Sequence, residues 1–375
     1  LKKVILHDDI TSIGNAAFYN CSSIIELQLG NGLVSIGDSA FAKCENIASI
    51  TLPESLESIG KGAFSGCYTV KSVTFGNNIQ SIGDGAFSYC HKLESITLPD
   101  SVTSLDNSAF QNCYALASVT LSKNITSINK DTFDSCLALT DITIPESVTI
   151  IDDCAFINCE SLASITLPSG LTSIGASAFS GCESIKNITI PESVTSIGNS
   201  AFSNCSMLRE LNLPAGITKI SAGLLYRCSN LTSVTIPTGV TVIDAHAFSD
   251  CDVLTNVTIP EGVTSIGESA FAGCDRFTSI TLPQSVTSIG RRAFLDCMNL
   301  TSINIPKNVT RIGDSAFHGC AKLSRAIFEN PTGWWVAYYE TDTRGESITS
   351  SSLSNPLTAA GYLTTHYKNK NWNRS

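Results

Sequence analysis

The amino-acid sequence predicts an α/β solenoid of about 14 repeats of 23 residues, followed by a C-terminal cap. Fourteen of the 15 cysteines follow one another at intervals of 23 residues, without a break, from Cys21 to Cys320. A phenylalanine stands three residues before nearly every one of these cysteines, and prolines recur in a column of their own. A fixed period of this length indicates a chain that grows by stacking repeats instead of enclosing a single core.

Each repeat contains a short stretch in which apolar and polar residues alternate, which predicts a half-buried strand. In the stretch LESITL, Ile96 and Leu98 are expected to point inward, whereas Ser95 and Thr97 point outward. Pro99 ends the strand, because proline has no N–H group to give to a ladder. Leucine-type positions that recur with this period are the signature of a leucine-rich repeat, whose strands form a parallel sheet.

The second half of each repeat reads VTSIG, followed by a small residue and then Ala-Phe. We expect Val102 and Leu105 to face inward and the Ala-Phe segment to start a short helical turn. Because helical turns are wider than strands, they should form the convex face of a horseshoe-shaped, right-handed superhelix, with the sheet on the concave face. The phenylalanines should stack as a spine, from which Leu225 is the one departure. This column contains Phe18, Phe41, Phe64, Phe87, Phe110, Phe133, Phe156, Phe179, Phe202, Phe248, Phe271, Phe294 and Phe317.

The cysteine column indicates buried free thiols, and neither a metal site nor a disulfide framework. Thiols about 5 Å apart on parallel Cα–Cβ vectors suit neither tetrahedral ligation nor a relaxed disulfide. A small apolar side chain, by contrast, suits the interior of a solenoid. Cys154 lies outside the column, two residues before Phe156, and is the candidate for an exposed thiol that oxidises or pairs with a second chain.

The periodicity stops after Phe328, which divides the chain into a repeat domain (1–328) and a C-terminal capping segment (329–375). All three tryptophans fall in this last segment. We predict a cap made of a WWVAYY strand and a helix with Asn355 as N-cap and Pro356 at its first position. The alternative is that the tryptophans form an aromatic platform for a sugar or a peptide.

One candidate binding surface is the position that follows the cysteine. It is occupied by Tyr68, His91 and Tyr114 in three consecutive repeats, and Tyr89 stands two residues before His91. A contiguous set of aromatic residues on an otherwise polar edge is typical of a contact site. The alternative is that these tyrosines only cover apolar turns, with their hydroxyl groups in water.

A second candidate surface is the outward side of the sheet, where serine and threonine recur in two columns. Ser95, Thr97, Ser118 and Thr120 represent these columns. They are typical of strand propensity and cross-strand pairing, or of a shallow surface whose weak contacts combine into avidity. Regular threonine arrays also resemble those of ice-binding solenoids. The interruptions of these columns disfavour an ice-binding function.

Charge and motifs exclude several classes of function. The net charge of −10 and the pI near 5.0 argue against nucleic-acid binding, which needs a concentrated basic face. No apolar run approaches ~18 residues, so we expect no membrane insertion. The five histidines fall in unrelated columns and no catalytic or metal motif accompanies them, so we expect no enzyme, metal or cofactor. We expect any export signal or anchor to lie outside these residues.

The unit LxxIxLPxSVTSIGxxAFxxC resembles the BspA-like, or treponemal-type, leucine-rich-repeat family, over residues 1 to about 328. The resemblance implies an exported surface protein of a host-associated bacterium or protist that adheres to host or matrix molecules. We therefore expect a non-enzymatic, extracellular binding or adhesion module whose partner is an extracellular protein or glycoconjugate. The alternative is a passive structural spacer or surface-layer element.

Overall fold

The computed structural model describes residues 1–340, 342 and 345–374. The chain divides into two compact units, Leu1–Ser196 and Ile197–Ser375. Each unit consists of stacked turns of parallel strands, with about 14 turns in the whole chain and little helix. The leucine-rich-repeat solenoid predicted from the cysteine spacing is confirmed.

Most turns contribute a longer and a shorter strand, each paired in parallel with its equivalent 23 residues away; Ser118 pairs with Ser95, and Ser104 with Ser81. The longer strands are Lys3–Ile5, Glu26–Gln28, Ser49–Thr51, Ser72–Thr74, Ser95–Thr97, Ser118–Thr120, Asp141–Thr143, Ser164–Thr166, Glu210–Asn212, Ser233–Thr235, Asn256–Val257, Ser279–Ile280, Ser302–Ile305 and Arg325–Phe328. The shorter strands are Ser12–Ile13, Ser35–Ile36, Ser58–Ile59, Ser81–Ile82, Ser104–Leu105, Ser127–Ile128, Ile150–Ile151, Ser173–Ile174, Ser196–Ile197, Lys219–Ile220, Val242–Ile243, Ser265–Ile266, Ser288–Ile289 and Arg311–Ile312.

The side chains of the strands alternate between the interior and the surface as predicted. Ile96 is buried between the exposed Ser95 and Thr97, and Leu98 is buried after them. The carbonyl of Pro99 then accepts the N–H of Val102 at 3.1 Å, which closes a turn at the end of the strand. Proline therefore marks the same turn from repeat to repeat, because its fixed φ suits a turn and it ends the ladder.

The Ala-Phe segment is not helical, so the predicted helical turn is wrong. Alternate N–H groups of this segment donate to the next repeat: Ser108 to Lys130 O at 2.8 Å, and Phe110 to Thr132 O at 3.0 Å. The backbone of Ser108 is left-handed, with φ 55°, which a right-handed helix does not allow. Hydrogen bonds join this segment to the next repeat, as they join the strands. The segment therefore forms no wide helical layer, which was the basis for predicting a convex helical face. The helices that the structure describes all lie after residue 349.

The predicted phenylalanine spine is confirmed within each unit. From Phe18 to Phe179, successive ring centroids are 5.0–5.8 Å apart and the ring planes differ by 1–14°. From Phe248 to Phe317, the centroids are 5.2–5.5 Å apart. Leu225 is fully buried in the same column. From Phe41 onward, each ring is buried and packs on its neighbours, which adds aromatic contacts to apolar burial.

All fifteen cysteines are free, and thirteen of them are buried, as predicted for the column. At least twelve of the fourteen column thiols also make a hydrogen bond that the sequence did not predict. The Sγ of Cys113, for example, donates to the carbonyl oxygen of Phe87 at 3.3 Å. Burial raises the pKa of the Cys113 thiol to about 12, so it stays protonated and inert at neutral pH. The column acts as apolar filling that also satisfies a carbonyl group of the preceding repeat.

Cys154 is half-buried and not fully exposed as expected. Its pKa is raised, first by burial and then by the carboxylates of Asp131 and Asp153. A raised pKa lowers the thiolate fraction, and the thiolate is the reactive form. This environment disfavours the oxidation proposed for Cys154 on sequence grounds.

The glycine after the shorter strand is required by close approach of two backbones. A Cβ built on Gly60 would lie 2.6 Å from the carbonyl carbon of Gly37 and 2.7 Å from the backbone nitrogen of Asp38. Real Cβ atoms do not approach backbone this closely, so the two repeats would have to move apart. Gly170, in a surface turn of the same unit, has no atom within 4 Å of the equivalent Cβ position.

The segment after Phe328 forms a small layer of strands and helices. Its strand Asn371–Arg374 pairs antiparallel with Arg311–Ile312 and with Trp334–Ala337. The predicted helix start is confirmed, because the Asn355 side chain accepts the N–H groups of Leu357 and Thr358 at 3.1 Å each. The elements of this segment are the strands Trp334–Ala337, Glu346–Ser347 and Asn371–Arg374, the helices Ser350–Leu353 and Pro356–Gly361, and the π-helix Tyr362–His366.

Two of the three tryptophans of this segment are interior residues. Trp334 and Trp372 are each 2% exposed, and their rings meet edge to face, with centroids 6.3 Å apart. Phe328, from the last long strand, contacts both rings. The hypothesis of a tryptophan platform for a ligand is therefore wrong for these two residues, which instead join the segment to the repeats.

Substitution of Gly60 by alanine should destabilise the first unit by about 2 kcal/mol or more, because overpacking against backbone cannot relax through a side chain. Gly170→Ala is the matched control and should change stability by at most about 1 kcal/mol. Urea denaturation followed by circular dichroism measures both. Equal midpoints for the two variants would contradict the close approach of the backbones at Gly60.

Thiol titration should separate the half-buried cysteines from the column. In the native protein, an aromatic disulfide reagent should modify no more than Cys21 and Cys154 at an appreciable rate, whereas all fifteen thiols should react in denaturant. Cys154→Ser should remove one of these two native reactions. Rapid native labelling of many thiols would show that the column is not buried.

Candidate binding surface

The four aromatic residues singled out in the sequence, Tyr68, Tyr89, His91 and Tyr114, lie together on the surface and form what we call the aromatic strip. The ring of His91 stacks between those of Tyr68 and Tyr114, with centroids 4.9 and 4.6 Å apart. Tyr89 meets His91 edge to face, with centroids 6.2 Å apart. The rings stack because the 23-residue register places equivalent positions of consecutive repeats side by side.

The backbone holds the strip in place through the turn that follows each cysteine. The N–H of Leu93 donates to Cys90 O at 3.0 Å, and the N–H of Ala115 donates to His91 O at 3.2 Å in the preceding repeat. The tyrosines remain accessible, with 36% of Tyr68, 44% of Tyr89 and 40% of Tyr114 exposed. The strip therefore presents partly exposed rings on a rigid base, which lowers the entropy cost of binding.

His91 is held in its neutral form by its position in the stack. Burial, and to a smaller extent the charge of Lys92, lowers the pKa of His91 below its ordinary value. Its Nε2 atom is buried and has no hydrogen-bond partner among the described residues. A proton there would place a charged N–H without an acceptor, so the geometry and the direction of the pKa shift agree.

A groove of about 470 Å³ runs beside the strip and is lined by Tyr68 and Tyr89, together with Tyr19 and Lys43. Tyr19 is 48% exposed and the Lys43 ammonium lies 5.8 Å from the centre of its ring. Sequence analysis missed Tyr19 because the equivalent position of the next repeat is Ala42, so Tyr19 starts no run of aromatic residues in its column. The signal that identifies it is its exposure as a large ring over a floor of small side chains.

The second candidate surface, the serine and threonine columns, has the predicted arrangement. Ser95, Thr97, Ser118 and Thr120 are all exposed, and the two pairs are aligned across the parallel ladder. None of these four residues lines the groove beside the aromatic strip. The structure thus leaves the two candidate surfaces as separate features.

The adjacent carboxylates of Asp152 and Asp153 accept backbone hydrogen bonds and so serve the scaffold. The Oδ1 atom of Asp152 accepts the N–H of Asp153 at 2.8 Å, and the Oδ1 atom of Asp153 accepts the N–H of Ala176 at 2.6 Å. Among the described residues, no three histidine, cysteine, aspartate or glutamate side chains are placed to hold one metal ion. Within residues 1–340 and 345–374, no helix has the length and apolar character needed to cross a bilayer.

Comparison with known proteins assigns the chain to a family. The profile described as the BspA type leucine rich repeat region matches residues 1–117, 35–161, 126–254 and 245–333. The chain is a BspA-type leucine-rich-repeat protein. Members of this family are repeat proteins that are generally not enzymes. None of the curated proteins is detectably similar to the chain.

Three solved structures of bacterial proteins are similar to this BspA-type protein over most of its length. A leucine-rich repeat protein from Bacteroides ovatus is 34% identical, with a TM-score of 0.79, and the match covers 86% of each chain. A leucine rich cell surface protein from Faecalibacterium prausnitzii is 26% identical, with a TM-score of 0.50, over 81% of this chain and 87% of that one. A leucine-rich repeat protein from Eubacterium ventriosum is 26% identical, with a TM-score of 0.51, over 85% and 87%.

The pKa of His91 should lie below the ordinary value of about 6.5 when its ring resonances are titrated by NMR. Because the folded-state pKa is depressed, the neutral ring contributes stability above pH ~6.5, and this contribution is lost as the pH falls through the folded-state pKa. Lys92→Gln should raise the pKa of His91, because it removes a nearby positive charge. Lys123→Gln, which changes an exposed lysine outside the strip, should leave it unchanged. A His91 that titrates above about 6.5 would contradict the buried stack.

Proposed function

We propose that this protein is a non-enzymatic, extracellular adhesion module that binds a protein partner through the aromatic strip. The observation that carries the proposal is the stack of Tyr68, His91 and Tyr114, whose exposed edges line up over three consecutive repeats. Tyrosine is among the residues that most often dominate the energy of protein interfaces. Leucine-rich-repeat proteins generally bind proteins, which supports the same class of partner.

The geometry of the strip supports a protein partner in particular. The rings are fixed by stacking, so little side-chain entropy is lost when a partner covers them. His91 is neutral at physiological pH, and the rings around it are uncharged, as is usual at the centre of an interface. The groove lined by Tyr19 and Tyr89 lies next to the strip and offers space for a protruding side chain of the partner.

An extracellular location for the module rests on its relatives. The similar protein from Faecalibacterium prausnitzii is described as a cell surface protein. We infer that this chain is also displayed at a cell surface, where attachment to host, matrix or other cells would be its role. The exposed serine and threonine columns, represented by Thr97 and Thr120, repeat across the sheet and add weak contacts that combine into avidity.

We also infer that residues 329–375 cap the repeat domain (1–328). The strand Asn371–Arg374 occupies the side of Arg311–Ile312 to which a further repeat would pair. The helix Pro356–Gly361 contacts the last long strand, and Trp372 covers Phe328 with ring centroids 5.9 Å apart. A solenoid needs such a cover, because its last repeat would otherwise expose apolar side chains and an unpaired strand.

Surface-based binding of the purified chain to a panel of extracellular-matrix proteins tests the adhesion proposal. We expect saturable binding to at least one of them, and a loss of about tenfold or more in the Tyr68→Ala/Tyr114→Ala variant, since truncation of central aromatic anchors has this size of effect. Circular dichroism of the variant should match the native spectrum, because both side chains lie at the surface.

The matched control is a Thr97→Ala/Thr120→Ala variant, which alters the sheet face of nearby repeats and leaves the strip intact. It should weaken binding by no more than about twofold, because each hydroxyl group of the sheet face adds only a weak contact. Binding that is lost in the control and kept in the tyrosine variant would move the site to the sheet face. No binding to any protein of the panel would favour the alternative of a passive spacer.

A further inference from the structure

The second unit contains a groove of about 780 Å³ that is separate from the aromatic strip. It lies between the turn segments of the last repeats and the C-terminal segment. Its lining includes Arg291 and Arg292 from the repeats, and Tyr338, Tyr339 and Asn369 from the C-terminal segment. A groove of this size holds a small-molecule ligand or the end of a longer one.

The two neighbouring arginines of the groove differ in their partners. The guanidinium of Arg291 lies 3.6 Å from a carboxylate oxygen of Glu268 and 3.3 Å from one of Asp314. Its charge is therefore neutralised by carboxylates of the two neighbouring repeats. No carboxylate of the described residues lies within salt-bridge distance of Arg292, which is exposed. Its guanidinium therefore remains available to an anion, and a guanidinium binds a carboxylate through two parallel hydrogen bonds.

Tyr338 and Tyr339 are the most exposed large aromatic residues of the described chain, at 76% and 71%. The ring of Tyr338 is less available to a ligand than that of Tyr339, because the ammonium group of Lys370 lies over it. The backbone of Tyr339 is fixed by Asp342, whose side chain accepts its N–H at 3.0 Å. The ring of Tyr339 is thus an accessible flat surface on an anchored loop, which is also tied to the repeats by the ion pair of Arg311 with Glu340.

We propose that this groove binds a saccharide that carries a carboxylate. The C–H groups of one face of the sugar ring pack on Tyr339, and the carboxylate pairs with the guanidinium of Arg292. Polar side chains along the groove, such as Asn369, bind the sugar hydroxyl groups. An exposed ring, an arginine without a carboxylate partner and amide groups line the same groove, which suits this ligand because a sugar acid presents an apolar ring face, an anion and hydroxyl groups together.

The backbone of the groove disfavours an extended peptide as the ligand. Peptides that bind in extended form depend on main-chain hydrogen bonds at an open strand edge. In this groove the N–H of Arg292 already donates to Asp314 O at 2.9 Å, and that of Ser315 donates to Lys368 O at 2.8 Å. The strand that begins at Asn371 is paired on both sides. Side chains alone are therefore left to bind a ligand.

Calorimetric titration of the full chain with 3′-sialyllactose and with lactose tests the proposal. Sialyllactose should bind at least about tenfold more tightly, because lactose lacks the carboxylate. Arg292→Asn should remove this difference, and asparagine tolerates the left-handed backbone of that position, where φ is 54°. Tyr339→Ser should weaken binding of sialyllactose about tenfold, whereas Tyr339→Phe, which keeps the ring face, should retain it.

Arg276→Ser, which removes an exposed arginine outside the groove, is the matched control and should bind sialyllactose as the native chain does. The Tyr68→Ala/Tyr114→Ala variant should also bind it unchanged, which separates this site from the aromatic strip. Equal affinity for the two sugars, absence of binding at about 1 mM, or full binding by Arg292→Asn would overturn the proposal. Tighter binding of a glutamate-rich peptide than of sialyllactose would overturn it in favour of a peptide site.

Discussion

The structure depends on main-chain hydrogen bonds that join each repeat to the next, in a register that keeps equivalent positions 23 residues apart. These bonds are made by the strands and also by the Ala-Phe segment, where Ser108 and Phe110 donate to the following repeat. To make them, the segment takes left-handed backbone at positions such as Ser108 and Asn112, with φ of 55° and 59°. Small and polar residues tolerate that conformation better than branched ones. Consecutive repeats are thereby joined by main-chain hydrogen bonds on the strand side and also on the turn side.

Hydrogen bonding between repeats on both sides explains why the interior repeats so regularly. A phenylalanine ring can stack on its equivalent because both repeats advance by the same distance, and ring centroids stay 5.0–5.8 Å apart within the first unit. The same spacing brings the Cys113 thiol to the carbonyl of Phe87, and it leaves no room for a Cβ on Gly60. The residues of one column therefore make the same contact in successive repeats, and this contact determines which residue type the column contains.

Register also decides where functional surfaces can arise. An aromatic residue in a single repeat stays isolated, whereas Tyr68, His91 and Tyr114 in consecutive repeats become a rigid stack. Carboxylates follow the same logic, since Asp38 and Asp153 each accept a backbone N–H of the next repeat and serve the scaffold. The groove of the second unit arises differently. It requires Arg292 from a repeat and Tyr339 from the C-terminal segment, which share no period.

The sequence by itself determined the repeat length, the alternation of the strands, the phenylalanine spine, the buried cysteines and the helix start at Asn355. These features depend on contacts between equivalent positions 23 residues apart, so periodicity alone reveals them. It also located the aromatic strip, for the same reason. The tertiary structure decided the hydrogen-bond partners of the Ala-Phe segment, which bonds to its neighbour instead of forming a helix. It also decided the contacts that have no period: Trp372 is buried on Phe328, and Tyr339 and Arg292 line the same groove. Hydrogen-bond partners and aperiodic contacts emerge only when the chain is folded.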